Sequence, residues 1–361
     1  MDNSAPKLPW WTIAAPCIGW LLLAGSYAGL GGAFHILMAV GLIATVIAAV
    51  HHAEVVAHRT GEPLGTLLLA VAVTVIEVGL IVSLMLAGGE ATKALARDTV
   101  FAAVMLILNG IVGACLLLGG SRHREQSFVL YGVSAALTTL TAISVLTMVL
   151  PNFTLTTLGP TYSAKQLAFI AVVSLVLYGT FLLVQTVRHR DYFLVPSAPG
   201  EEPVHCARPS GRTTAASAGL LAMGLVAVVL LAKALAPSIE SLVAKAGAPK
   251  HVVGIIIAAV VLLPEGVAAL RAAYQNRLQT SLNLALGSAL ASIGLTIPTV
   301  AVVSILTGWQ LELGLSAEKT VLLLLSLFCA SMSLATGRTT VLQGAVQLVL
   351  CAVYLFFAVV P

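Results

Sequence analysis

Long apolar runs separated by short polar breaks make up most of this chain. The breaks carry charge or Pro and Gly, and each run is close to the roughly 20 residues that an α-helix needs to cross a bilayer. The pattern predicts an all-α polytopic membrane protein with eleven spanning helices. The predicted spans are 10–30, 33–50, 64–87, 99–119, 128–150, 165–187, 215–236, 251–270, 281–307, 319–335 and 340–360. The first of them is interpreted as a retained helix, not a cleaved signal peptide.

The composition agrees with this class. Only 9% of the 361 residues are charged and 59% are apolar, with a mean hydropathy of +1.03. Soluble domains carry about 25% charged residues, so a soluble protein is excluded. No basic run with interleaved aromatic residues occurs. The expected surroundings are therefore the lipid bilayer and not a nucleic acid, and the oligomeric state is left open.

The distribution of positive charge predicts how the chain is oriented. Eleven of its 18 Lys and Arg residues lie at the N-terminus and in the even-numbered loops, and seven lie on the other side. Cytoplasmic loops of membrane proteins carry the excess of Lys and Arg. We therefore expect the N-terminus and the long polar connection in the cytoplasm.

A repeated spacing of glutamates suggests two related halves. Glu54 is followed 23 residues later by Glu77, and Glu240 is followed 25 residues later by Glu265. In both halves a glycine stands seven residues after the first glutamate. Five spans in each half force the two repeats to lie inverted in the membrane, as in secondary transporters. The predicted division is an N-terminal helix (1–32), a first repeat (33–187), a cytoplasmic linker (188–214) and a second repeat (215–361).

Two carboxylates lie where membrane helices rarely carry charge. Of the 14 acidic residues, only Glu77 and Glu265 lie well inside apolar runs. A charged side chain at the bilayer centre costs at least about 2.5–3.5 kcal/mol on insertion scales. Their equivalent positions in two repeats indicate a paired acidic site that binds a cation or protons. The alternative is that each is a protonated, hydrogen-bonded structural glutamate.

Polar neighbours in the apolar runs are candidate helpers at this site. Pro264 lacks a backbone donor, so we expect it to interrupt its helix and free carbonyls for a cation. Small polar side chains also favour helix–helix packing, which is the alternative for the helpers. The candidate helpers are Thr74, Asn109, Ser288 and Ser292. Pro298, later in the ninth predicted span, is expected to kink it.

A histidine-rich stretch follows the second apolar run. His51, His52, Glu54 and His58 lie close together in sequence, without an HExxH motif. Histidine titrates near physiological pH, so the stretch is interpreted as an interfacial or regulatory, pH-sensing element. A metal centre of an intramembrane enzyme is the alternative.

Several stretches, taken together, resemble the cation/proton exchangers of the Ca²⁺:cation antiporter superfamily, in particular the bacterial ChaA-type calcium/sodium:proton antiporters. The stretches are HHAEVVAHRTGEPLGTLLLAVAVTVIEVGLIVSLML (51–86), RDTVFAAVMLILNGIVGACLLLGG (97–120), VVGIIIAAVVLLPEGVAALRAAYQN (252–276), LNLALGSALASIGLTIP (282–298) and FCASMSLATGRTTVLQGA (328–345).

The resemblance implies a bacterial inner-membrane antiporter of eleven helices with inverted repeats, which is not an enzyme and needs no cofactor. Its two acidic site residues match Glu77 and Glu265. Exchangers of this superfamily usually carry Gly-Asn-x-x-Glu at both places, whereas this chain has VTVIE (73–77) and VLLPE (261–265). Both glutamates remain, and both asparagines are replaced.

The expected activity is export of cytoplasmic Ca²⁺, with Na⁺ or K⁺ as further cargo, in exchange for external protons by alternating access. Two glutamates that alternate between two protons and one Ca²⁺ would nearly conserve the charge of the site. Na⁺/H⁺ or K⁺/H⁺ exchange as the main activity is the closest alternative. An ion channel and a membrane metalloenzyme are the alternatives from other classes.

Overall fold

The computed structural model describes residues 8–30, 32–61, 64–88, 92–194, 209–247, 249 and 251–360. These residues form eleven helices, and each predicted span overlaps one of them, so the predicted all-α fold with eleven helices is confirmed. The helices are α1 (Trp10–Tyr27), α2 (Phe34–Thr60), α3 (Leu64–Gly88), α4 (Leu95–His123), α5 (Leu130–Phe153), α6 (Ala164–Arg188), α7 (Gly211–Lys245), α8 (Val252–Tyr274), α9 (Leu278–Thr307), α10 (Ala317–Ser333) and α11 (Val341–Val359).

Eight of these helices are long and apolar enough to cross a membrane, among the residues that the structure describes. The other three are α1 with 18 residues, α10 with 17, and α3, which contributes the apolar stretch Val71–Met85. Two short strands, β1 (Gln126–Ser127) and β2 (Arg338–Thr339), pair antiparallel and join the loop after α4 to the loop after α10.

Two helices run well past the ends of their apolar runs. α2 continues to Thr60 and α7 extends over 35 residues, through Pro237. Hydropathy marks only the apolar part, and polar residues of ordinary helix propensity continue both helices beyond it. Gly61 (φ 73°) caps α2, and Gly247 (φ 70°) lies two residues beyond the end of α7. Glycine reaches this left-handed backbone without strain. The repeated glycine of the sequence therefore follows a helix end in both halves.

The chain forms two compact units. The first contains α1, α2, α3 as far as Leu84, and α7, and the second contains the remaining seven helices. The division into an N-terminal helix, two repeats and a linker stays a prediction.

In the first unit, α2 packs along α7 and α1, and α1 also packs on α7. Small residues allow this close approach: a Cβ added at Gly224 of α7 would lie 3.4 Å from the Ala49 Cβ of α2. The two helices that begin the predicted repeats, α2 and α7, therefore pair with each other in this unit.

In the second unit, α9 packs against α4, α5, α6 and α8, and α11 packs along α4. Large apolar side chains fill the interior, and Phe101, Met105, Leu140 and Ile143 are almost completely buried. Three of its helices are not α-helical throughout, because π-helical segments occupy Leu106–Ile111, Val145–Val149 and Val184–Arg188.

Candidate functional site

Glu77 is buried on α3 in the first unit. Only 3% of the residue is exposed, and Thr74, one turn before it, is 6% exposed. A Cβ added at the nearby Gly79 would lie 2.7 Å from the Val229 Cγ2 of α7, so this part of α3 is packed on α7. A carboxyl group withdrawn from water is stable only when protonated, hydrogen-bonded or next to a positive charge. Burial of this kind is compatible with a proton or cation site and equally with a protonated, hydrogen-bonded structural glutamate.

Glu265 lies on α8 in the second unit and is half-buried. The predicted interruption at Pro264 is wrong, because α8 is a continuous helix from Val252 to Tyr274. A proline removes one helical hydrogen bond, here to the carbonyl of Val260, and the residues before and after Pro264 keep their helical conformation. α9 is likewise continuous through Pro298, and the kink expected there stays a prediction.

Asn109 lies inside the π-helical segment of α4 and is fully buried. Its amide nitrogen Nδ2 donates a hydrogen bond to Oγ of Ser326 on α10 at 2.9 Å. Within the part of the chain that the structure describes, its carbonyl oxygen Oδ1 has no hydrogen-bond partner. Ser326 was not among the predicted site residues. It is a lone polar residue in an apolar run, and its relation to Asn109 depends on the packing of two distant helices.

The two candidate helpers on α9 differ in burial. Ser292 is 5% exposed and Thr296 is fully buried, whereas Ser288 is half-buried. Farther towards the start of α9, the Asn283 side chain donates to the backbone oxygen of Phe193 at 2.5 Å. Asn283 therefore anchors the segment that follows α6.

The histidine-rich stretch forms the last turns of α2 and is not uniformly exposed. His52 is fully buried, and its Nε2 lies 2.9 Å from the backbone oxygen of Thr12. His51 is half-buried with its ring 5.7 Å from Trp11, while Glu54 and His58 are exposed. No group of three or more His, Cys, Asp or Glu side chains could hold a metal ion among the described residues. His52 thus ties α1 to α2, and the regulatory role stays a prediction.

A charged cluster that the sequence did not predict lies where α4, α8 and α10 begin. Asp98 is held by Arg97 at 3.0 Å and by Lys319 at 3.3 Å. A Cβ added at Gly254 would lie 3.3 Å from the Asp98 carbonyl carbon, so the first turn of α8 packs directly on this cluster. His251 precedes α8, and a hydrogen bond links it to the backbone of Ala358.

His251 is expected to make the stability of the protein depend on pH. Burial lowers the pKa of His251 below 6.5, Lys319 and Arg97 lower it further, and Asp98 and the Ala358 hydrogen bond oppose this shift. As the pH falls below about 6.5, the unfolded chain takes up a proton that the folded protein resists, so stability is lost. We expect the melting temperature of His251→Gln in detergent to fall less between pH 7.5 and pH 5 than that of the parent protein. His189 is exposed, and His189→Gln is the matched control. An equal fall in melting temperature for the parent protein and His251→Gln would contradict the expectation.

Comparison with known proteins identifies the family. A family model described as sodium/calcium exchanger protein matches residues 30–187 and 216–360. The chain belongs to the sodium/calcium exchanger protein family. It is 49% identical, over 98% of its length and 97% of the relative, to the Sinorhizobium fredii protein y4hA, which carries the name of an ionic transporter. It is 36% identical to the sodium-potassium/proton antiporter ChaA of Escherichia coli, over 90% of this chain and 88% of the relative.

Solved structures show the same exchanger fold. The native YfkE structure superposes with a TM-score of 0.74 at 18% identity, covering 97% of this chain and 99% of that chain. The H⁺/Ca²⁺ exchanger CAX superposes with a TM-score of 0.72 at 15% identity, covering 95% of this chain and 86% of that chain. The protein is thus a multi-span membrane protein of an ion-exchanger family.

Proposed function

We propose that this exchanger exports cytoplasmic Ca²⁺, with Na⁺ or K⁺ as further cargo, in exchange for external protons by alternating access. Glu77 and Glu265 act together as the group that holds either the cation or the protons. The observation that carries the proposal is their placement: they are the acidic residues deep in apolar helices, at equivalent positions of the two predicted repeats. The chain belongs to an exchanger family, and the family match covers both residues. Glu77 is almost completely buried.

The charges of the two carboxyl groups explain how cation transport is coupled to proton transport. Two ionised carboxylates with one Ca²⁺ carry the same net charge as two protonated carboxyl groups. Either loaded form is therefore neutral, while the empty ionised form is strongly disfavoured in a low-dielectric interior. A cation binds only after the protons have left, and protons arriving from outside displace the cation. This competition makes the exchange obligatory.

A divalent cation needs neutral oxygen ligands beside the two carboxylates. Ca²⁺ takes six to eight oxygens, including side-chain carbonyls. Asn109 is the best-supported helper, because its buried Oδ1 lacks a hydrogen-bond partner among the described residues. We further propose Thr74, Ser288 and Ser292 as helpers on α3 and α9, where Thr74 and Ser292 are buried.

We place the protein in the bacterial inner membrane with its N-terminus in the cytoplasm. Support comes from the excess of Lys and Arg at the N-terminus and in the even-numbered loops. The charged cluster around Asp98 then lies at the external end of its unit.

Exchange of Na⁺ or K⁺ for protons is the second candidate. The Escherichia coli relative bears the name of a sodium-potassium/proton antiporter, while more distant relatives of Schizosaccharomyces pombe and Aphanothece halophytica bear names that refer to calcium. The replacement of both motif asparagines by Thr74 and Leu262 also fits a change in cation preference.

Proton flux in proteoliposomes tests both candidates. The full chain is reconstituted, a pH gradient is imposed, and CaCl₂, NaCl or KCl is added separately while an internal dye reports the pH. We expect micromolar Ca²⁺ to collapse the gradient. Collapse only with millimolar Na⁺ or K⁺ would replace the calcium proposal with the monovalent one. No proton movement with any salt would overturn antiport.

A further inference from the structure

The helix that carries Asn109 changes its geometry at that residue. Leu106–Ile111 is π-helical, whereas the segments before and after it are α-helical. A π-helical turn inserts an extra residue, shifts the direction of the side chains and is frequent at functional sites. It also loosens the backbone hydrogen-bond ladder of an otherwise regular spanning helix. Asn109 therefore lies where the α-helical hydrogen-bond pattern of α4 is interrupted.

The segment lies against the helix that carries Glu265. A Cβ added at Gly266, the residue after Glu265, would lie 3.3 Å from Cδ1 of Ile111 at the end of the π-helical segment. The same segment also contacts α9, α10 and α11. All of these residues belong to the second compact unit. Asn109 and Glu265 thus lie on neighbouring helical segments of one unit, each within two residues of this contact.

The two ends of the Asn109 amide have different surroundings. Nδ2 lies 2.9 Å from Ser326 Oγ and 3.8 Å from Met105 Sδ, two groups that accept hydrogen bonds. Oδ1 is buried and has no hydrogen-bond partner among the described residues. An unsatisfied buried acceptor is destabilising, and a carbonyl oxygen is a ligand that Ca²⁺ and Na⁺ accept.

We propose that Ser326 is a positioning residue for cation binding. By accepting the hydrogen bond from Nδ2, it fixes the amide so that Oδ1, and not the NH₂ group, is presented to the cation held with Glu265. The terminal torsion of asparagine is broad and roughly two-fold, so an unrestrained amide turns its NH₂ group towards the cation in part of the population. The inference rests on the proposed function of Asn109 as a cation ligand.

The substitution Ser326→Ala tests the role. We expect the half-saturating cation concentration for proton-coupled exchange to rise about five- to tenfold, which is the usual worth of one hydrogen bond, with the maximum rate retained. Ser326→Thr keeps the hydroxyl group and is expected to restore the parent affinity. Ser174→Ala, which removes another buried hydroxyl of the same unit, is the matched control and is expected to change nothing.

A role through Asn109 also predicts non-additive effects. Asn109→Ala alone and Asn109→Ala with Ser326→Ala are expected to bind the cation equally weakly, because Ser326 has nothing left to position. Cation binding is measured directly by calorimetry on the detergent-purified protein, beside the flux assay. Additive losses, parent affinity in Ser326→Ala, or equal loss in Ser326→Ala and Ser326→Thr would each overturn the proposal.

The same flux assay separates this inference from the proposed function. If Glu77→Gln and Glu265→Gln exchange normally, the paired-glutamate function fails. If those variants are inactive and Ser326→Ala keeps the parent affinity, only the role of Ser326 fails.

Discussion

Replacing Glu77 or Glu265 with glutamine is expected to abolish exchange, with proton flux lowered at least about a hundredfold, to the level of empty liposomes. An amide has nearly the shape of the carboxyl group but neither releases a proton nor carries the charge that holds a cation in a low-dielectric site. Insertion is expected to continue, because an uncharged amide costs less in the membrane than a carboxylate. The measurement is cation-driven collapse of a pH gradient in proteoliposomes.

Matched controls come from the same units. Glu240 on α7 and Glu318 in the first turn of α10 are exposed, and Glu240→Gln and Glu318→Gln are expected to exchange like the parent protein. Size-exclusion chromatography in detergent confirms that each variant is folded before its flux is compared. Half or more of the parent rate in either Glu77→Gln or Glu265→Gln would refute the paired-carboxylate mechanism.

Adding a single methyl group at Gly344 is expected to destabilise the second unit. Gly344 of α11 faces the backbone of α4, and a Cβ there would meet the Leu117 backbone nitrogen, lie 2.8 Å from Leu117 Cα and lie 2.9 Å from the Gly113 oxygen. Backbone atoms cannot rotate away as side chains do, so α4 and α11 must separate. We expect Gly344→Ala to cost about 3 kcal/mol or more and to lower the melting temperature by about 5 °C or more.

Two other helical glycines give the comparison. Gly287 of α9 and Gly179 of α6 have no atom within 4 Å of an added Cβ. Gly287→Ala and Gly179→Ala are expected to be neutral or slightly stabilising, because alanine has the higher helix propensity by about 1 kcal/mol. Thermal melting followed by light scattering in detergent measures all three variants. Equal melting temperatures for Gly344→Ala and Gly287→Ala would show that the α4–α11 contact tolerates the methyl group.

The fold was largely predictable because the apolar run of each segment predicts the helix that the segment forms. Every predicted span overlaps an observed helix, from Trp10–Tyr27 to Val341–Val359. The boundaries were less predictable: α2 reaches Thr60, ten residues beyond its predicted end, because no helix-breaking residue occurs before Gly61. The interruption expected at Pro264 is absent, because the proline removes a single hydrogen bond and the helix continues on both sides of it.

The candidate site was predictable only in part. Glu77, Glu265 and Asn109 are conspicuous in sequence, since carboxylates and amides are rare and costly within apolar runs. Ser326 is not conspicuous, because a serine fits easily into a membrane helix. The burial of His52 against the Thr12 carbonyl could not be predicted from the sequence either, since it requires α1 to lie against the last turns of α2.

The sequence by itself determined the number of helices, their approximate positions and the presence of two glutamates inside apolar runs. These follow from the free energy of transferring one segment into lipid, which depends on that segment alone. Tertiary structure decided the π-helical turn at Asn109, its hydrogen bond to Ser326 217 positions away, and the cluster of His251, Asp98 and Lys319. Those features depend on which helices meet and at what depth, and close packing between distant segments sets both.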